Sequence, residues 1–93
     1  YSSAASDVYK RQDLQIVVAT PQAEAIYTAV DLRSPVAIIV GTEKHGVSQT
    51  WLDHADIAVQ IPMFGKVNSL NVATATALLI YEVVRQRGAG TRN

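Results

Sequence analysis

Three short apolar runs constrain this chain more than anything else in it: LQIVVA at 14–19, VAIIV at 36–40 and DIAVQI at 56–61. A strand with one wet face alternates apolar and polar residues, whereas VAIIV is apolar at every position and needs cover on both faces. The segments between the runs carry helical signals. After Thr20-Pro21, which would serve as cap and first helical residue, Ala23, Ile26, Tyr27 and Val30 recur at helical spacing until Ser34-Pro35. A short helix is predicted from about Gln49 to Ala55, with Trp51 and Leu52, and a long one from Leu70 to Arg87. Fully apolar strands alternating with helices predict an α/β fold, a parallel sheet with helices on both faces.

The last helix is unusual. Leu70, Val72, Ala73, Ala75, Ala77, Leu78, Leu79, Ile80, Tyr81, Val83 and Val84 surround most of its circumference, where a surface helix carries only a stripe. It therefore needs cover on several sides. At 93 residues the chain is one domain, long enough to bury about 60–65% of its unfolded surface. Its 48% hydrophobic and 17% charged residues exclude a disordered segment. No stretch reaches the roughly 20 apolar residues of a membrane span. The absence of cysteine excludes disulfides and thiolate metal sites and leans the reading to a cytoplasmic protein. The formal net charge is zero, and nothing supplies the basic excess on one face usual in an autonomous nucleic-acid binder beyond Lys10-Arg11 and the tail arginines Arg85, Arg87 and Arg92.

Residues 1–12, YSSAASDVYKRQ, share none of this patterning, and DVYKRQ is what an in-frame translation of a common sequencing-transposon end would give. They are read as an artefactual or disordered leader, 13–87 as the folded part, and 88–93 as a disordered tail.

Two loops could carry chemistry. GTEKHGVS, 41–48, follows a buried strand, and strand ends are where open α/β sheets bind ligands. Gly41 and Gly46 have phosphate-loop spacing, but Val47 and Ser48 stand where that loop needs Lys and Ser/Thr, which argues against a nucleoside triphosphate. The glycines allow close backbone approach to another ligand, with Glu43 as a carboxylate acceptor. Equally, the loop could be a plain turn, Glu43 solvated and Ser48 capping the next helix. His45 is read as solvent-facing, His54 as a charge partner for a helix end and Trp51 as a core anchor. No cluster has metal-ligand spacing. The second loop is IPMFGKVNSLN, 61–71. Pro62 ends the strand and Gly65 turns the chain. Ser69 or Asn68 would cap the last helix. Asn71, ahead of so apolar a helix, suggests something to grip, since an unpartnered buried amide costs about 1–3 kcal/mol.

Together, VAIIVGTEKHGVS and ADIAVQIPMFGKVNSLNVATATALLIYE closely resemble the second and third motifs of the SpoU-type tRNA/rRNA 2′-O-ribose methyltransferases of the SPOUT superfamily. The resemblance covers about 36–87 well and extends plausibly over 14–35. It implies the C-terminal part of a trefoil-knot domain, truncated at its N-terminus, binding S-adenosylmethionine in the knotted cleft. It implies cofactor contacts at Gly41, Thr42, Glu43, Gly46, Ile61, Pro62, Met63, Ser69, Leu70 and Asn71. Glu43, Ser69 and Asn71 would shape the reaction side. It further implies a tRNA or rRNA substrate, a homodimer packed through the last helix, and no metal. The family's Asn and activating Arg belong to a motif upstream of anything resembling 14–93, so the chain alone is expected to be inactive, and no general base is assigned. The alternative is a scaffold module that holds the cofactor or a partner subunit without catalysis.

Overall fold

The computed structural model describes residues 13–41, 47–62 and 71–91, with side chains as far as Gly88. Four strands form one sheet: β1 (Gln15–Ala19), β2 (Ala25–Ile26), β3 (Val36–Val40) and β4 (Ile57–Gln60). Two helices accompany them, α1 (Gln49–Asp53) and α2 (Val72–Thr91). The spatial order is β2-β4-β1-β3 and every pairing is parallel, as the apolar runs require. β1 lies inside, with Ala19 opposite Val40 on one side and Val59 on the other.

Side chains of β1 alternate between two cores. Ile16 and Val18 pack under Trp51 of α1 with Ile39, Val47, Leu52 and Ala55. Val17 faces the other way, into a cluster with Leu32, Val59, Leu79 and Val83, the last two from α2. Ile16, Val17 and Val18 are all fully buried, which is why the middle of this run has no polar position.

The helix predicted after Pro21 is not there. Thr20-Pro21-Gln22-Ala23 is instead a tight turn, closed by Ala23 N–H donating to the Thr20 carbonyl at 3.2 Å. Pro21 sits at the second position of the turn, which suits its fixed φ as well as a first helical position does. Then come β2, which pairs with β4, a 3₁₀ turn at Tyr27–Ala29 and an irregular strap to Pro35. The helically spaced Tyr27 and Val30, with Leu32, do reach the core, but from this strap. The long α2 already lies on that face, and tertiary packing overrides the periodicity.

α2 runs antiparallel to the strands. Its second half is bonded to the strap that leads into β3: Gln86 to Val30 and Leu32, and Arg87 Nη2 to the Ser34 carbonyl at 3.1 Å. From Gln86 back to Val72 the helix rises about 21 Å, more than the roughly 17 Å height of a five-residue strand. A helix of that length laid along the strands carries its first turn past the end of the sheet where β1, β3 and β4 finish. The helix continues past Arg87 to Thr91.

Candidate functional site

The carboxyl ends of the three longer strands form one edge. One residue beyond the Ala19–Val40 and Ala19–Val59 pairs stand Gly41, Thr20 and Gln60. Strand spacing puts Gly41 and Gln60 about 10 Å apart with Thr20 between them. Thr20 N–H donates to the Val59 carbonyl at 2.9 Å, extending the ladder to the edge itself. Ile61 and Pro62 follow Gln60, both half-buried, and Pro62 ends the strand as its missing donor requires. Gly41, Ile61 and Pro62, all expected at the site, thus belong to one edge.

Asn71 stands at the start of α2, and its role differs from the one expected. It is exposed, not buried, and its Oδ1 accepts the Thr74 N–H at 2.8 Å while its carbonyl accepts the Ala75 N–H at 3.0 Å. That is the hydrogen-bonding of an N-cap residue, the place predicted for Ser69 or Asn68. No buried amide needs a ligand to satisfy it. Ser48 holds the N-cap position of α1 as expected, but only its carbonyl is engaged, by Leu52 N–H at 3.2 Å. Thr42, Glu43, Gly46, Met63, Ser69 and Leu70 lie outside the described residues, as do His45, Asn68 and the threading of a knot.

The described residues of this edge, Thr20, Gly41, Gln60, Ile61, Pro62 and Asn71, are uncharged and offer backbone groups, a hydroxyl and amides. Such a surface suits a flat neutral group such as a nucleoside better than a phosphate cluster. Among the described residues, no group of His, Asp or Glu could hold a metal ion, and no helix is long and apolar enough to cross a membrane. Two residues at the edge escaped the sequence reading. Thr20, only 9% exposed, was assigned as a helix cap. Gln60 donates from Nε2 to the Ala23 carbonyl at 2.9 Å and pins the turn after β1 to β4. A polar residue directly after a fully buried strand was the available signal for both.

The charged pairs with displaced pKa values lie on the strap and on the later turns of α2. Glu82, 4% exposed, is held below the usual carboxylate range chiefly by hydrogen bonds from Arg85, at 2.8 and 2.7 Å, with a further bond from Gln86 at 2.7 Å; burial opposes them. Asp31 is lowered to about 2 by the Arg33 side chain and backbone N–H. His54 ends α1 with Nδ1 against the Thr50 carbonyl at 2.8 Å, and since a carbonyl only accepts, that nitrogen carries a proton.

A sequence model of the SpoU rRNA Methylase family matches residues 2–81, most of the chain. The chain belongs to this family. The match takes in residues 2–12, the stretch that read as foreign. Among relatives of this SpoU chain, a 23S rRNA (guanosine-2′-O-)-methyltransferase RlmB of Xylella fastidiosa is 40% identical over 78 residues, 84% of this chain and 31% of that protein. A tRNA (guanosine(18)-2′-O)-methyltransferase of Aquifex aeolicus is 39% identical over 80 residues, 85% of this chain and 38% of that protein. The crystal structure of the SpoU methyltransferase AviRb from Streptomyces viridochromogenes in complex with the cofactor AdoMet superposes with a TM-score of 0.81 at 30% identity, over 94% of this chain and 36% of that one. The chain therefore spans about a third of these relatives, and the parallel sheet flanked by helices is the SPOUT architecture expected from the motifs.

Proposed function

We propose that this chain is the S-adenosylmethionine-binding, dimer-forming part of an RNA 2′-O-ribose methyltransferase acting on tRNA or rRNA. What supports the reading is that Gly41, Thr20, Ile61 and Pro62 follow neighbouring parallel strands onto one edge of the sheet in a member of the SpoU family, with the capped start of α2 as the proposed further side of the site. S-adenosylmethionine supplies an electrophilic methyl on a sulfonium. A ribose 2′-hydroxyl oxygen forms a bond to that carbon as the S–C bond breaks, and the hydroxyl proton leaves to a base. The protein's share is chiefly alignment. Gly41, Ile61 and Leu70 would hold the donor through backbone groups, with Thr42, Gly46, Pro62 and Met63 around them. Glu43, Ser69 and Asn71 would line the reaction side. With its Oδ1 engaged in the cap, Asn71 would bind through its Nδ2 group.

The dimer reading draws on α2. Ala73, Ala77, Ile80, Tyr81 and Val84 form an exposed stripe at helical spacing on the side away from Ala75, Leu79 and Val83. Ile80, Tyr81 and Val84 are 51%, 69% and 57% exposed. The residues that made the helix look apolar all round thus divide into a core face and an open face, and a second copy of the chain would cover the open one.

The test is paired: calorimetric titration of the folded chain with S-adenosylmethionine, and transfer of labelled methyl to bulk tRNA or rRNA, read as 2′-O-methylnucleosides after digestion. Binding without transfer is expected of a donor-binding part. Absence of binding would leave the scaffold alternative. Robust transfer by these 93 residues would show that no upstream arginine is needed.

A further inference from the structure

The turn after β1 is held more firmly than a connection to a two-residue edge strand requires. Thr20 N–H binds Val59, Ala23 N–H binds the Thr20 carbonyl, and Gln60 Nε2 binds the Ala23 carbonyl. Pro21 restricts φ at the second position. Within this turn the Thr20 hydroxyl, on a residue nine-tenths buried, donates to Gln22 Oε1 at 2.6 Å. The Gln22 N–H also approaches Thr20 Oγ1, at 3.5 Å. Gln22 itself is exposed, and a surface glutamine gains little from being fixed in this way unless its other end has a use. With Oε1 held by Thr20, the outward group is Nε2, a double donor with no partner among the described residues.

We propose that Thr20 and Gln22 act as a pair in which Thr20 is a positioning residue and the Gln22 amide donates to an acceptor on the adenosine end of the methyl donor. This rests on the donor-binding reading above and deepens it. Thr20 stands between Gly41 and Gln60-Ile61, and Gly41 and Ile61 are the residues proposed above to hold the donor through backbone groups. Adenosine offers ring nitrogens and ribose oxygens as acceptors, and neither Thr20 nor Gln22 carries the charge that the amino-acid end of the donor would call for. Fixing the amide beforehand removes rotamer entropy that binding would otherwise have to overcome.

The experiment titrates the full chain with S-adenosylmethionine and with 5′-methylthioadenosine, which keeps the adenosine but lacks the amino-acid end. Thr20→Val and Gln22→Ala are each expected to weaken both ligands about tenfold, as the loss of one well-placed hydrogen bond would. The double variant should lose little more than either single one. Thr20→Ser, which restores the hydroxyl, should recover binding, an outcome that a purely packing role for Thr20 would not give. Should Thr20→Val fail to fold, Gln22→Ala, on an exposed side chain, decides alone. Unchanged binding in the variants overturns the pairing while leaving the donor-binding reading intact, and a loss confined to S-adenosylmethionine overturns its adenosine placement. A wild-type chain that binds neither ligand overturns both readings.

Discussion

The carboxamide of Gln86 closes on the strap beside Leu32 from 54 residues further along the chain: Leu32 N–H donates to its Oε1 at 2.7 Å. In the same contact Nε2 donates to the Val30 carbonyl at 2.9 Å and to Glu82 Oε2 at 2.7 Å. The strap has no ladder of its own between β2 and β3, so this one side chain supplies both a backbone donor's partner and a backbone acceptor's. Gln86→Ala should therefore cost about 2 kcal/mol in urea unfolding, since it leaves both groups unpaired next to the core. Leu32→Ala, which empties a fully buried site, should cost about 2–5 kcal/mol. A Gln86→Ala loss within a few tenths of a kcal/mol of zero would mean that the strap is held by packing alone.

Glu82 makes stability depend on pH in a defined direction. Its carboxyl is held below its ordinary value of 4.5 in the folded chain, so the unfolded chain binds the proton more readily. The stabilisation is complete above about pH 4.5 and is lost as pH falls through the lower folded value. Glu82→Gln should flatten that acid limb. Asp31 contributes a slope of the same sign, but its pair with Arg33 is exposed on both sides and screened by solvent. Asp31→Asn should therefore change the limb much less than Glu82→Gln; the reverse order would locate the acid-sensitive contact on the strap's surface.

Asn71 is both a cap and a proposed binding residue, and the two roles separate by substitution. Asn71→Ala should lower stability by about 1 kcal/mol through the lost bond to Thr74. Asn71→Asp retains a capping oxygen and favours the positive end of the helix, so it should fold as well as wild type. With its Nδ2 group on the donor, Asn71→Asp should bind S-adenosylmethionine several-fold less well than wild type. Wild-type affinity of Asn71→Asp would reduce Asn71 to a cap.

How far the sequence reached depended on whether one segment's own pattern decided its fate. β1, β3 and β4 were legible as short runs dominated by β-branched and other apolar residues, VAIIV with no polar position at all, and α2 because a helical pattern from Leu70 to Arg87 outweighs local ambiguity. Thr20-Pro21 was misread since a turn and a helix start use the same two residue types, and β2 is too short, at two residues, to alternate visibly. Glu82 and Gln86 drew no reading from the sequence, although they continue the buried row of Ala75 and Leu79 at helical spacing. The backbone partners of Gln86, Val30 and Leu32, lie in the strap, beyond the reach of local pattern, while Glu82 is held by Arg85 and Gln86 of the same helix. Among the expected site residues, Gly41 was marked by its place after a buried strand, Ile61 and Pro62 only by the family resemblance, and the cap could have been Asn68, Ser69 or Asn71 on residue type.

The open face of α2 makes a separate prediction. Ile80→Glu places a charge in the middle of the exposed stripe without touching the core face of Leu79 and Val83. The variant should keep its secondary structure but shift from dimer to monomer, with association weakened at least about a hundredfold and the urea midpoint no longer rising with protein concentration. Sedimentation at several concentrations reads this directly. A wild-type chain that is monomeric at high micromolar concentration, or a variant that dimerises equally well, would remove the stripe from the interface.

The central claim is that the ends of β1, β3 and β4 and the start of α2 form one donor-binding edge. Amide chemical-shift mapping of the labelled chain during titration with S-adenosylmethionine tests it most directly. Thr20, Gly41, Ile61 and Asn71 should shift together along one saturating curve, while Leu32, Ser34 and Gln86, near the opposite end of the sheet, stay in place. Saturating shifts centred on Leu32, Ser34 and Gln86, with the strand ends unmoved, would contradict it.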